Sequence, residues 1–157
     1  MITEKQTERA KFFSNMHKER KMFVLPNAWD AGSAVVFERA GFAAVATSSA
    51  GIAYALGCPD GETITFDELL YVVERMAQRI GIPLSVDAER GYAETPEGVT
   101  ENAKKLLEAG VVGFNIADGL PDGTLSPLDF PLDNIAALVH LKRCQRLSFV
   151  RPTRPGP

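Results

Sequence analysis

Helical and strand patterns alternate along most of this chain, and two of the joints between them are nearly alike. Segments 40–45 and 109–114 read AGFAAV and AGVVGF, so each places a glycine stop directly before an apolar strand. Strands are predicted in strand-helix order at 22–25, 43–47, 84–87 and 112–116. Right-handed βαβ units place the connecting helices outside a parallel sheet, so the chain is predicted to have an α/β fold.

Capping signals set the predicted helix boundaries, at about 3–20, 30–40, 65–80 and 95–110. Thr65 and Glu68 form a capping box, in which the hydroxyl and the carboxylate each satisfy a free amide of the first turn. Asp30 is a second cap, and Thr95 followed by Pro96 is a third. The periodicity of the first segment places Ala10 and Phe13 on the buried side of its helix.

Composition restricts the class of protein. A chain of 157 residues can form one domain and bury roughly 70% of its unfolded surface. Hydrophobic residues make up 45% of it, but no run approaches the ~18 apolar residues of a membrane span. The polar start at residues 1–6 does not match a signal peptide, so a cytoplasmic protein is expected. Cys58 and Cys144 are too isolated for a disulfide framework or a zinc site and are expected to be reduced thiols.

Charge divides the chain near residue 139. All 20 acidic residues precede His140, whereas Lys142, Arg143, Arg146, Arg151 and Arg154 follow it. A basic tail could contact nucleic acid, but this one has only Phe149 as an aromatic, so residues 140–157 are predicted to be unstructured or aberrant. We therefore expect no nucleic-acid partner and no membrane partner.

Two carboxylates follow the third predicted strand. In segment 84–92, LSVDAERGY, the apolar run stops at Asp87, and Glu89 comes two positions later. A buried parallel strand is apolar on both faces, so both acids are expected at its C-terminal end, where sheets and barrels of this class bind ligands. Mg²⁺ would relieve their repulsion because it takes oxygen ligands. The alternative is a solvated acidic loop that pairs with Arg90.

Polar residues follow all four predicted strands, at the same end of the sheet. They are Asn27, Trp29 and Asp30, then Thr47, Ser48 and Ser49, then Asp87 and Glu89, and finally Asn115 and Asp118. Such convergence is typical of an active site built from several strand ends. Turn and helix capping is the alternative for Asn27 and Asp30, and the better explanation for Asp30. Ser48 and Ser49 are either a loop hydroxyl pair or a site that binds an anionic group.

Several segments together resemble the isocitrate lyase and phosphoenolpyruvate mutase superfamily in order and spacing. They are 25–30 (LPNAWD), 47–50 (TSSA), 56–61 (LGCPDG), 86–92 (VDAERGY) and 110–116 (GVVGFNI). The resemblance implies a TIM-type (β/α)₈ barrel that binds Mg²⁺ and a small 2-oxo acid or phosphonate substrate. It also implies that a C–C or P–C bond beside the carbonyl is made or broken through an enolate, and that the full-length protein is a homo-oligomer.

The resemblance also assigns roles to individual residues. Asp87 matches the carboxylate that meets the metal most directly, and Asp60 and Glu89 match acids that hold its water ligands. These three are the predicted catalytic and metal-binding residues. Ser48 and Ser49 match positions that bind the substrate carboxylate, and Asn27 is a further candidate for substrate binding.

Departures from the family pattern bear on activity. The fourth strand usually leads to Glu-Asp, but this chain has Ala117 and Asp118. Segment 120–124, LPDGT, replaces the lyase loop of the Lys-Lys-Cys-Gly type, which favours the mutase-like branch over the isocitrate and methylisocitrate lyases. A complete barrel needs about 250 residues, so residues 1–139 are interpreted as the N-terminal half of a truncated or frame-shifted member.

Two functional classes therefore stay open. The first is a magnesium-dependent enzyme of the lyase or phosphomutase type that acts on a small 2-oxo acid. The second is a catalytically inactive fragment that survives as a binding remnant. A phosphoacceptor signalling domain of similar size is disfavoured, because it would need an acidic pair after the first strand, where only Asp30 is available.

Overall fold

The computed structural model describes residues 2–19, 21–119, 124–125 and 131–138. The helices are α1 (Glu4–Lys18), α2 (Ala31–Arg39), α3 (Ser49–Ala55), α4 (Phe66–Arg79) and α5 (Pro96–Glu108), followed by a helical segment at 131–138. The strands are β1 (Asn27–Ala28), β2 (Val45–Thr47), β3 (Leu84–Asp87) and β4 (Gly113–Asn115). The predicted tail at 140–157, with His140 and Cys144, lies outside the described residues, as does most of the loop after Gly119.

The four strands form one parallel sheet in the order β1-β2-β3-β4. One register row runs across all of them, because Asn27 pairs with Ala46, Ala46 with Ser85, and Ser85 with Gly113. Each strand lies beside its sequence neighbour, so the order does not reverse within the sheet. Sequential order is the arrangement of a barrel, whereas a doubly wound sheet reverses direction at a switch point. The predicted α/β class is confirmed.

Helix α4 shows why the local sequence folds as it does. Its N-cap is Thr65, whose hydroxyl accepts from the Glu68 N–H at 3.2 Å, while the Glu68 carboxylate accepts from the Thr65 N–H at 2.7 Å. This is the predicted capping box. Asp30 caps α2 in the same way through Ser33, and Thr95 caps α5 with Pro96 in the first turn. The helix starts predicted from caps are confirmed.

The first strand is displaced from its predicted position at 22–25. Pairing begins instead at Pro26, whose carbonyl accepts from the Ala46 N–H at 2.9 Å, and continues through Asn27 and Ala28. Pro26 therefore lies at the start of the paired segment and does not end the strand. A proline lacks only the N–H donor and is tolerated where a strand starts, so here its carbonyl opens the ladder.

The core lies mainly between the sheet and helices α2, α4 and α5. Fully buried side chains of this core include Val45, Leu69, Val73, Leu84, Val86 and Leu107. A smaller cluster joins Ala10 and Phe13 of α1 to Ala44 and Val112, which directly precede β2 and β4. Helix α1 therefore packs at the N-terminal ends of the strands and leaves their C-terminal ends accessible.

Candidate functional site

A cleft of about 240 Å³ lies at the C-terminal ends of the central strands. Its lining residues are Ser49, Asp60, Gly61, Glu62, Asp87, Glu89, Arg90, Ala117 and Gly119. They come from the start of α3, the loop before α4, the end of β3 with the turn that follows it, and the segment after β4. Four of the nine are acidic, so the cleft concentrates carboxylate oxygens.

Asp87 is the last residue of β3 and is held in place from three directions. Its Oδ2 accepts from the Ser49 hydroxyl at 2.8 Å, and its Oδ1 accepts from the Glu89 N–H at 3.3 Å. Its own N–H donates to Thr47 Oγ1 at 2.9 Å. Both carboxylate oxygens therefore have a donor, and the side chain is fixed at the edge of the cleft.

Glu89 lies half-buried beside Asp87 and is also held at both oxygens. Its Oε2 accepts from the Glu62 N–H at 2.7 Å, and its Oε1 accepts from the Tyr92 hydroxyl at 2.9 Å. Burial raises the pKa of the Glu89 carboxyl, and the negative charges of Glu62 and Asp60 add to this rise, while both hydrogen bonds oppose it. Burial and the charge of Glu89 likewise raise the pKa of the Tyr92 phenol, so the phenol remains a donor at neutral pH.

Glu62 completes the network, and none of the sequence motifs given above includes it. Its Oε1 accepts from the N–H groups of Arg90 at 2.8 Å and Tyr92 at 3.0 Å. The quoted motif 56–61 stops one residue short of it. The available signal was a second acid directly after Asp60-Gly61, next to a segment already assigned to the site.

The backbone of this network is strained. Glu62, Glu89 and Tyr92 have φ values of 54°, 45° and 55°, and they are the non-glycine residues with positive φ in the described part of the chain. Each such residue costs about 1 to 3 kcal/mol and persists only where surrounding structure enforces it. Strain of this kind clusters at ligand sites, so its restriction to the carboxylate network supports a functional interpretation.

The predicted site residues fall into two groups. Asp60, Asp87, Glu89 and Ser49 all line the cleft. Ser48 does not, because it is the N-cap of α3 and its hydroxyl accepts from the Gly51 N–H at 3.0 Å. One interpretation of Ser48 and Ser49 was a pair of hydroxyls in a loop. In the structure, these residues begin helix α3 instead.

Asn27 also lies away from the lining residues. It is exposed and belongs to β1. Its predicted substrate role, like that of Ser48, stays a prediction. Ala117, where the family pattern would have a glutamate, lies at the cleft, and its N–H donates to the Glu89 carbonyl at 2.5 Å.

The donor set suits a hard cation held largely through water. Within the described residues, no three His, Cys, Asp or Glu side chains are grouped closely enough to bind a metal together. Mg²⁺ does not require such a group, since it commonly keeps several waters and uses one or two carboxylates. Asp87 can supply the direct ligand, while Asp60 and Glu89 can accept hydrogen bonds from water. The residues present therefore fit magnesium.

Solved structures share this fold. A Burkholderia cenocepacia protein provisionally assigned as a phosphonomutase superposes with a TM-score of 0.85 at 35% identity, over 90% of this chain and 58% of that one. Oxaloacetate acetylhydrolase, solved with its product oxalate, superposes with a TM-score of 0.81 at 26% identity, over 90% and 51%. The fold and the site thus define part of a TIM-type barrel of the lyase and mutase class. The sequence profile of the phosphoenolpyruvate phosphomutase family matches residues 13–154. The chain belongs to this family.

Similar sequences occur among curated proteins. An uncharacterized Mycobacterium tuberculosis protein is 33% identical over 115 residues, which are 73% of this chain and 43% of that protein. The 2-methylisocitrate lyase of Escherichia coli is 33% identical over 90 residues, 57% of this chain and 30% of the enzyme. The chain thus spans less than half the length of these relatives. In its described part, no helix is long and apolar enough to cross a membrane.

Proposed function

We propose that the cleft binds Mg²⁺ together with a small 2-oxo acid or phosphonate, and that it serves the making or breaking of a C–C or P–C bond beside the substrate carbonyl. The observation that carries the proposal is the convergence of Asp60, Glu62, Asp87 and Glu89 on one cleft at the strand ends. The solved oxaloacetate acetylhydrolase contains its product oxalate, a small dicarboxylate that mimics the enolate of a 2-oxo acid.

When bound, Mg²⁺ would stabilise the negative charge that develops on the carbonyl oxygen as the neighbouring bond breaks. Asp87 would hold the ion directly, and Asp60 and Glu89 would orient its water ligands. The fixed positions of these carboxylates matter because the negative charge develops only in the transition state. A site that is already arranged stabilises that charge without further rearrangement.

Ser49 has two roles in the proposed function, one toward Asp87 and one toward the substrate. Its hydroxyl donates to Asp87 and lies at the cleft, and its position matches one at which the family binds the substrate carboxylate. A hydroxyl is both donor and acceptor, so it can keep Asp87 oriented while its own oxygen accepts from a neighbouring group. Among the described lining residues, Arg90 is the one with a basic side chain. Its positive charge would attract an anionic substrate.

A second candidate is a binding remnant without turnover. One observation favours it: Ala117 lies at the cleft, at a position where the family pattern has a glutamate. Such a protein would bind the cation and an oxalate-like ligand but would release substrates unchanged.

Calorimetric titration tests the binding step. Mg²⁺ is titrated with and without oxalate into the wild type, Asp87→Ala and the control Asp67→Ala, which removes an exposed acid of α4. We expect the wild type and Asp67→Ala to bind Mg²⁺ more tightly with oxalate present, and Asp87→Ala to show no heat. Absence of binding in the wild type would refute the proposal.

Turnover then separates the two candidates. The protein is incubated with oxaloacetate or phosphonopyruvate and Mg²⁺, and products are followed by proton and phosphorus NMR. Product formation that is lost in Asp87→Ala supports the enzyme. Binding without product in either reaction supports the remnant.

A further inference from the structure

Two loops of the site hold each other through reciprocal hydrogen bonds. The loop before α4 gives the Glu62 N–H to Glu89, and the turn after β3 gives the N–H groups of Arg90 and Tyr92 to the Glu62 carboxylate. The residues concerned are separated by 27 to 30 positions in sequence. Each loop is therefore positioned in part by the other.

Glu62 controls both donors to the Glu89 carboxylate. One donor is its own N–H, which reaches Glu89 Oε2 at 2.7 Å. The other is the Tyr92 hydroxyl, and Glu62 anchors that residue by accepting its N–H at 3.0 Å. Removal of the Glu62 side chain would free the turn that carries both Glu89 and Tyr92.

We infer that Glu62 is a positioning residue that sets the Glu89 carboxylate for the water ligands of the cation. This inference rests on the function proposed above and adds to it a residue that acts through Glu89 rather than as a ligand of the ion. The left-handed backbone at Glu62, Glu89 and Tyr92 agrees with it, because conformations of this kind persist only under local constraint. A charged side chain whose Oε1 accepts two main-chain N–H groups supplies that constraint.

Substitutions at 62 separate positioning from charge. Glu62→Gln keeps an acceptor oxygen for both amides, whereas Glu62→Ala removes it. Glu94→Ala is the matched control, since it removes an exposed acid from the loop after β3, the loop that the Glu62 carboxylate contacts. Mg²⁺ affinity is measured by calorimetry in the presence of oxalate, and thermal midpoints are measured without Mg²⁺.

We expect Glu62→Ala to weaken Mg²⁺ binding by about 10- to 100-fold, the range seen when a supporting partner of a metal ligand is lost. Glu62→Gln and Glu94→Ala should stay within about threefold of the wild type. A loss in Glu62→Gln equal to that in Glu62→Ala, or no loss in either, would overturn the inference. If Glu62→Ala does not fold, Glu62→Asp replaces it, because the shorter side chain also fails to reach the amides.

Amide hydrogen exchange tests the positioning role of Glu62 without any need for cation binding. In the protein without Mg²⁺, the N–H groups of Arg90 and Tyr92 should exchange at least about tenfold faster in Glu62→Ala than in the wild type, and Glu62→Gln should restore the protection. If the wild type binds no Mg²⁺, the proposed function fails, and this exchange alone decides whether Glu62 positions the turn. Equal exchange in all variants would refute the positioning role.

Discussion

The Ser49 hydroxyl donates a hydrogen bond of 2.8 Å to Asp87 Oδ2 and joins the first turn of α3 to the end of β3. The bond spans 38 positions in sequence and fixes the carboxylate that we assign as the direct ligand of the cation. Ser49→Ala should therefore weaken Mg²⁺ binding by about tenfold, as expected for loss of a supporting partner. Calorimetric titration in the presence of oxalate measures the change.

Ser48→Ala is the control for this experiment. Ser48 caps α3, and loss of an N-cap costs about 1 kcal/mol, so the thermal midpoint should fall. Because Ser48 does not contact Asp87, its Mg²⁺ affinity should stay unchanged. Equal loss of affinity in both variants would contradict the role of the Ser49 bond, and weaker oxalate binding in Ser48→Ala would support its predicted substrate role.

Restoring a carboxylate at residue 117 should strengthen the site. Ala117 is exposed, lies at the cleft and is tied to the Glu89 carbonyl through its N–H. A glutamate there can reach the waters of the cation, so Ala117→Glu should tighten Mg²⁺ binding by about tenfold or more. Ala117→Gln, which adds the same bulk without the charge, should not. Weaker binding in Ala117→Glu than in the wild type would count against the proposed place of the cation.

Much of the fold was predictable because its signals are local. The capping box at Thr65 and Glu68 depends on atoms three residues apart, and the acids at 87 and 89 follow from the end of an apolar run. Strand β1 was misplaced because its position depends on pairing with β2. The two-residue strand leaves too short a pattern for periodicity to locate it.

The site was predictable in its residues but not in its connections. Asp60, Asp87 and Glu89 are recognised from motif and strand end, yet the role of Glu62 depends on contacts with a turn 28 to 30 positions away. Helix α3 was missed for a related reason. Its seven residues include Gly51, a poor helix former, and the helix is stabilised by the Ser48 cap and by burial of Ile52 and Ala53.

The raised pKa of Glu89 predicts how stability depends on pH in the protein without Mg²⁺. The folded state binds a proton to Glu89 more tightly than the unfolded state does, so the charged carboxylate destabilises the fold at neutral pH. This cost is absent below the ordinary pKa of a glutamate and complete above the raised folded value. Glu89→Gln should therefore be more stable than the wild type at pH 7, and the gain should vanish as the pH falls below about 4.

Glu68 supplies a control, because its pKa is shifted in the opposite direction to that of Glu89. Hydrogen bonds from the Thr65 N–H and hydroxyl lower the pKa of the Glu68 carboxyl, so its charge stabilises the fold above the ordinary pKa. Glu68→Gln should be less stable than the wild type at pH 7, and the difference should disappear as the pH falls through the lowered value. Urea unfolding at several pH values measures both variants. Stability changes of the same sign would contradict the assigned causes.

Gly91 shows how tightly the turn beneath the site is packed. Its φ is +99°, and a Cβ built there would lie 2.8 Å from both methyl groups of Val99, which is almost fully buried. Gly57 has a similar φ of +80°, but a Cβ there meets nothing within 4 Å. Gly57→Ala should therefore cost only the conformational strain, about 1 to 2 kcal/mol.

Gly91→Ala adds steric overlap with a core side chain, typically about 1 to 3 kcal/mol more, and should also loosen the Glu62–Glu89 network that begins one residue away. Chemical denaturation gives the two free energies of unfolding, and their difference isolates the overlap. Equal costs would mean that Val99 can move aside. A larger cost for Gly91→Ala, with Mg²⁺ affinity lowered in that variant alone, would show that the packing of α5 under the turn holds the carboxylates in place.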